Sequence, residues 1–99
     1  MSDKYILDGK NAVLCNDLIK WGTWFETAER HVGHEIRGDI RVRTVFLGLD
    51  HQFGDGEPLL YETMIFGGPH DDYQERCSTW EQAEQMHKTA VEIAFGSKP

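Results

Sequence analysis

The stretch from Arg41 to Gly68, RVRTVFLGLDHQFGDGEPLLYETMIFGG, narrows most sharply what this chain can fold into. Runs rich in β-branched and aromatic residues flank a glycine-rich loop at residues 51–58, the pattern of two strands joined in a hairpin. Centring the loop near Gly54 sets Leu49 close to Leu60 and Thr44 close to Ile65. Successive side chains on a strand point to opposite faces. One face therefore carries Val45, Leu47, Leu49, Leu60, Glu62, Met64 and Phe66. The other carries Val42, Thr44, Phe46, Gly48, Leu59, Tyr61, Thr63 and Ile65, with Gly48 opposite the Tyr61 ring. Both faces are substantially apolar, whereas a hairpin with one wet face alternates cleanly.

The flanking segments supply what covers that hairpin. Tyr5-Ile6-Leu7 and Ala12-Val13-Leu14 surround Asp8-Gly9, which predicts a small N-terminal hairpin. Asn16 can cap a helix over 17–32, with Leu18, Trp21, Phe25, Ala28 and Val32 on one face and Gly33 as its stop. Glu26 and Arg30 form an exposed pair on that helix, contributing about 0.3 kcal/mol. Residues 33–40 read as a polar connection, and residues 69–77 as a charged loop. Ser78 and Glu81 fit a capping box ahead of a last helix. That helix stripes Trp80, Ala83, Met86, His87, Ala90, Val91 and Ala94 on one side and closes at Gly96. The expected fold is α+β, an antiparallel sheet of two hairpins with two helices on one face, in the order ββαββα.

Ninety-nine residues make a single domain, 1–99, with one modest core. Two helices in so short a chain cover one sheet face more easily than both, so a homodimer is expected on the other. No run of about 20 apolar residues is present and the N-terminus has no apolar leader, which predicts a cytoplasmic protein without a membrane partner. A net charge of −7 argues against a direct nucleic-acid surface. Cys15 and Cys77 sit in no C-x-x-C motif and read as reduced thiols.

Glu62 is the most informative polar residue. Alternation puts it beside Leu60, Met64 and Phe66, where a lone carboxylate must be paired, protonated or hydrogen-bonded. Arg41, Arg43 and Arg76 are the structural partners on offer, and His51 or Thr44 the functional ones. Asp50-His51 lies where a strand meets the loop, although adjacent strand residues point apart. Thr44, Asp50, His51, Glu62 and Thr63, with Trp24 as an aromatic rim, compose the candidate ligand-binding site. His31, His34 and Glu35 do not complete a tetrahedral metal set, so no metal and no cofactor are expected. His87, on the apolar stripe, reads as a core histidine. No Ser-His-Asp, Cys-His, Walker or dinucleotide pattern appears, and the chain leans away from being an enzyme.

The string LDHxFGxGxPLLYETMxFGG, with YILDGK and WGTWFE before it and STWEQAEQMH after it, resembles a family of short proteins encoded by tailed bacteriophages and prophages. The resemblance spans nearly the whole chain, while His70 and Cys77 depart from the family pattern. It implies a setting in the host cytoplasm, in host takeover or defence evasion, and names no reaction. The expected function is a non-enzymatic accessory protein that binds a host protein or a small polar ligand of nucleotide-derived type. The alternatives are a small hydrolase using Glu62 or His51 as acid/base, and an acidic-surface inhibitor of a host nucleic-acid-binding protein.

Overall fold

A computed structural model describes residues 2–52 and 54–96. Phe53, within the predicted loop, lies outside the described residues. The order is β1 (Tyr5–Asp8), β2 (Asn11–Leu14), α1 (Leu18–Thr27), β3 (His31–Arg37), β4 (Ile40–Phe46), β5 (Tyr61–Phe66), β6 (Gln74–Cys77) and α2 (Trp80–Phe95). Strands β1 and β2 form a two-stranded sheet, and β3-β4-β5-β6 a four-stranded one, all antiparallel. The α+β class and the two predicted hairpins stand. The order ββαββα is corrected by a strand on each side of the central hairpin.

The first added strand comes out of the predicted helix. Helix α1 ends at Thr27, and Ala28, expected on its buried face, is already extended at ψ 142°. From Arg30 onward the main chain pairs with β4, starting at the Phe46 N–H to Arg30 carbonyl bond of 2.8 Å. The sequence HVGHEIR carries its β-branched residues, Val32 and Ile36, where either period accommodates them, and pairing with β4 decides for the strand. Gly33 is therefore no helix stop: it sits in β3 against the His87 ring, where a Cβ would lie 2.5 Å from Nε2. Arg30 leaves the predicted Glu26 pair and donates Nη1 to the Phe46 carbonyl at 2.9 Å. The cap of α1 is Asp17, which accepts the Lys20 N–H at 3.1 Å, while Asn16 accepts the Lys4 N–H at the foot of β1. Leu18, predicted to be buried, is 65% exposed.

The second added strand, β6, replaces the charged loop and pairs Glu62 with Arg76 across from β5. Its sequence, QERC, is charged as suits an outer strand, where charge discourages pairing with other chains. In the central hairpin Thr44 faces Thr63 and not Ile65, a register displaced by two residues. An even displacement leaves each residue on its predicted face. Leu60 is the exception: it precedes β5 and is buried with Phe46, Tyr61 and Ala83. Gly48 meets Phe25 and Trp21 in place of Tyr61; at φ 77° it has room for no side chain, since a Cβ would lie 2.9 Å from the Phe25 ring.

Helix α2 starts one residue later than predicted. Thr79 Oγ1 accepts the Gln82 N–H at 3.2 Å, and Gln82 Oε1 accepts the Thr79 and Ser78 N–H groups. Ser-x-x-Glu and Thr-x-x-Gln both fit the box in sequence, and the second forms. The helix lies on the sheet face of Val42, Phe46, Tyr61 and Ile65, with Ala83 and Ala90 as the small residues that let it approach. The N-terminal hairpin and α1 close one end. There the Trp21 Nε1–H reaches both the Tyr5 and the Gly48 carbonyls at 3.1 Å. No helix among the described residues is long and apolar enough to cross a membrane.

Candidate functional site

Strands β4 and β5 present two chemically different faces. Beneath α2, Thr44 Oγ1 contacts Thr63 Oγ1 and lies 2.7 Å from His87 Nδ1, while His87 Nε2 lies 3.3 Å from Glu35 Oε1. A carboxylate accepts, so Nε2 carries the ring proton toward Glu35. Nδ1 then accepts from Thr44, which accepts from Thr63. Every member of the chain then has a partner. The series hydroxyl, imidazole, carboxylate has the partner types of an activated nucleophile. Both threonines are 0% exposed, however, and no substrate reaches them. Thr44 and Thr63 are thus structural, and His87 is the satisfied core histidine that the stripe predicts.

Asp50 and His51 occupy the loop after β4. Asp50 Oδ1 accepts the Gln52 and Leu59 N–H groups at 2.8 and 3.0 Å, closing the loop on itself. His51 Nδ1 lies 2.8 Å from the Leu49 carbonyl, which can only accept, so that nitrogen holds the proton. Trp24 packs edge-on against Phe46 at 5.9 Å in the main core cluster. Of the candidate residues only Glu62 is left on the uncovered face, and the site of Thr44, Asp50, His51, Glu62, Thr63 and Trp24 is not assembled in one place.

The uncovered face holds a different constellation. Glu62 Oε2 accepts from Arg76 Nε at 3.0 Å and from Gln74 Nε2, and its side chain is 13% exposed. This is the arginine partner that the pleat requires. The Arg41 and Arg43 guanidiniums flank the Phe66 ring at 5.1 and 5.5 Å. Arg30 lies 4.1 Å over the Phe25 ring. Among the described residues, no carboxylate pairs with Arg30, Arg41 or Arg43. A groove of about 370 Å³ is lined by Ala28, Glu29, Arg30, His31, Arg43, Val45, Leu47 and Glu62, while Arg41 lines a separate one with Phe66. His31 at its edge is bonded to Glu29 at 2.8 Å and stacked on His34, while Glu35 faces α2, so the His31, His34 and Glu35 trio is split between faces.

Burial pushes the Cys77 thiol up to about 11. Burial, and then the charges of Cys77 and Glu81, push Tyr61 up to about 12. What the groove can do is bind: its lining combines the basic Arg30 and Arg43, the carboxylates of Glu29 and Glu62, and the apolar Val45 and Leu47. Arg30 and Arg43, which line the groove, are not among the ligand-binding residues that the sequence singles out. Alternation in Arg41-Val42-Arg43 places both arginines on the face of Glu62, and that signal was present in the sequence. No protein-family model, no curated protein and no solved structure matches the chain.

Proposed function

We propose that this chain is a small phage-encoded accessory protein that binds, without chemical turnover, a small polar host ligand on the uncovered face of its four-stranded sheet. The observation that carries the reading is that Arg30 and Arg43, unpaired with any carboxylate among the described residues, line a groove of ligand size. A protein of net charge −7 has acidic groups to spare for pairing, and leaves these arginines without them. The phage setting and the role in host takeover or defence evasion rest on the resemblance of the LDHxFGxGxPLLYETMxFGG string. Binding is favoured over hydrolysis because Glu62 is held by Arg76 and Gln74, and His51 is tied to its own loop. Native mass spectrometry of the protein taken from infected cells tests the reading. A retained small molecule, absent from the Arg43→Gln variant, is the expected result; bare protein in both samples would remove it.

A second reading, a protein partner or a second copy in a homodimer, rests on the exposed apolar run of Val13, Leu14, Leu18 and Ile19, the last 82% exposed. Light scattering at micromolar concentration tests the dimer, and an 11.4 kDa species excludes it.

A further inference from the structure

We infer that β3 is an interaction edge whose partner is the β3 of a second copy of this chain, paired antiparallel about a two-fold axis at Ile36. The inference is independent of the groove, and its surface is not the apolar run of Val13, Leu14, Leu18 and Ile19. Strand β3 is an outer strand of its sheet. The Phe46 N–H to Arg30 carbonyl bond sets the phase of the ladder: Phe46 and, by alternation, Thr44, Val42 and Ile40 turn their main-chain groups toward β3. The Leu47 N–H to Leu60 carbonyl bond shows the alternate residues turned the other way. Gly33, Glu35 and Arg37, opposite Thr44, Val42 and Ile40, therefore direct their N–H and C=O groups to β4. His34 and Ile36 turn theirs outward, and both residues are exposed, Ile36 at 62%. Such an open row is a template for another strand, and an apolar side chain stands in it where a guarding charge is usual.

The side chains select a second copy as the strand that fits. A two-fold axis perpendicular to the sheet keeps each face on its own side. With the axis at Ile36, the two Ile36 residues exchange N–H to carbonyl bonds and lie side by side on the uncovered face. Glu35 then stands opposite Arg37 of the second copy, twice, on the α2 face. Both are ready for it. Glu35 gives Oε1 to His87, its side chain is 44% exposed, and its Oε2 has no partner among the described residues. Arg37 is exposed, lies 4.6 Å over the Phe95 ring and has no carboxylate partner among the described residues. Glu35-Ile36-Arg37 is thus complementary to itself read in reverse. Neighbouring registers are not: an axis at Glu35 or Arg37 sets a charge against its own copy, and one at His34 carries the seam onto the bulge between His31 and Gly33. The opposite edge is guarded, since an axis at either central residue of β6, Glu75 or Arg76, also sets a charge against itself.

Sedimentation and native mass spectrometry of the full chain and its variants decide the matter. The wild type should be a dimer. Ile36→Lys, which sets a charge against its own copy at an exposed position, should weaken the dimer at least about tenfold at an unchanged melting midpoint. Glu35→Arg and Arg37→Glu should each be monomeric alone, because each brings like charges together. Mixed in equal amounts they should form a heterodimer, in which every pair is again opposite in sign. Ile19→Lys, in the apolar run, should dimerise as the wild type does. Should Glu35→Arg fail to fold for want of the His87 partner, Ile36→Cys replaces the mixing arm: it should form a disulfide across the axis in air, and Ile19→Cys should not. A monomeric wild type, an Ile36→Lys dimer of wild-type strength, or a mixture that stays monomeric overturns the pairing. So does a dimer that Ile19→Lys alone dissolves, which would belong to the apolar run, or an Ile36→Cys chain that does not cross-link.

Discussion

The two faces of β4 and β5 are built from alternate residues of the same strands, yet they handle polar groups in opposite ways. Thr44, Thr63, His87 and Glu35 form a chain beneath α2 in which each donor meets an acceptor. Across the pleat, Arg41 and Arg43 share the Phe66 ring but have no carboxylate partner among the described residues. A buried polar group left unpaired costs about 1–3 kcal/mol, so the covered face closes its network. A solvated guanidinium incurs little such cost, so the uncovered face can leave groups ready for a ligand. The lesson is that a hydrogen-bonded triad under a helix is here a packing device, while the looser set of charges on the other side is the better candidate for function.

Substitutions at the covered face should then be costly and those at the uncovered face nearly silent in stability. The largest effect is expected at Gly33→Val, which drives a side chain into the His87 ring and breaks its contacts with Thr44 and Glu35. A loss of about 3 kcal/mol is expected in urea unfolding. Thr44→Val keeps the shape but leaves His87 Nδ1 and Thr63 without a partner, for about 2 kcal/mol. If it unfolded at the wild-type midpoint, the covered network would not be the closed system described here. Thr79→Ala, at the start of the helix that covers this face, should cost about 1 kcal/mol, and Ser78→Ala nearly nothing. Equal losses would place the cap one residue earlier. Smallest of all, Arg43→Gln should shift stability by less than about 0.5 kcal/mol, and its effect should appear in ligand binding. A large thermal shift there would erase the contrast between the faces.

Much of this was legible in the chain. The Asp8-Gly9 hairpin, the central strands and the assignment of Thr44, Thr63 and Glu62 to faces follow from turn chemistry and alternation. The pairing of Glu62 with an arginine follows from the cost of a lone charge among apolar neighbours. What escaped were β3 and β6, because HVGHEIR and QERC lack a run of alternating apolar residues and become strands through pairing with an existing edge. Without those strands Arg76 and Gln74 cannot be placed opposite Glu62, and His31 cannot be placed at the groove. The scatter of Asp50, His51 and Trp24 away from Glu62 is likewise a matter of tertiary placement, which spacing along the chain does not encode.

The attachment of the N-terminal segment has a consequence for motion. Among the described residues the β1-β2 hairpin shares no ladder with the four-stranded sheet beyond the Lys4–Leu49 bridge, and its seam is completed by Tyr5 N–H to Gly48, Asp50 N–H to Asp3 and the forked Trp21 indole. Such a unit opens sub-globally at a lower free energy than the sheet it leans on. Amide hydrogens of residues 5–14 should exchange with solvent well before those of 42–46 and 61–66. The groove begins at Ala28, directly after α1, and continues onto β4 and β5. None of the lining residues belongs to the hairpin, so an occupant of the groove should leave exchange of residues 5–14 as fast as in the empty protein.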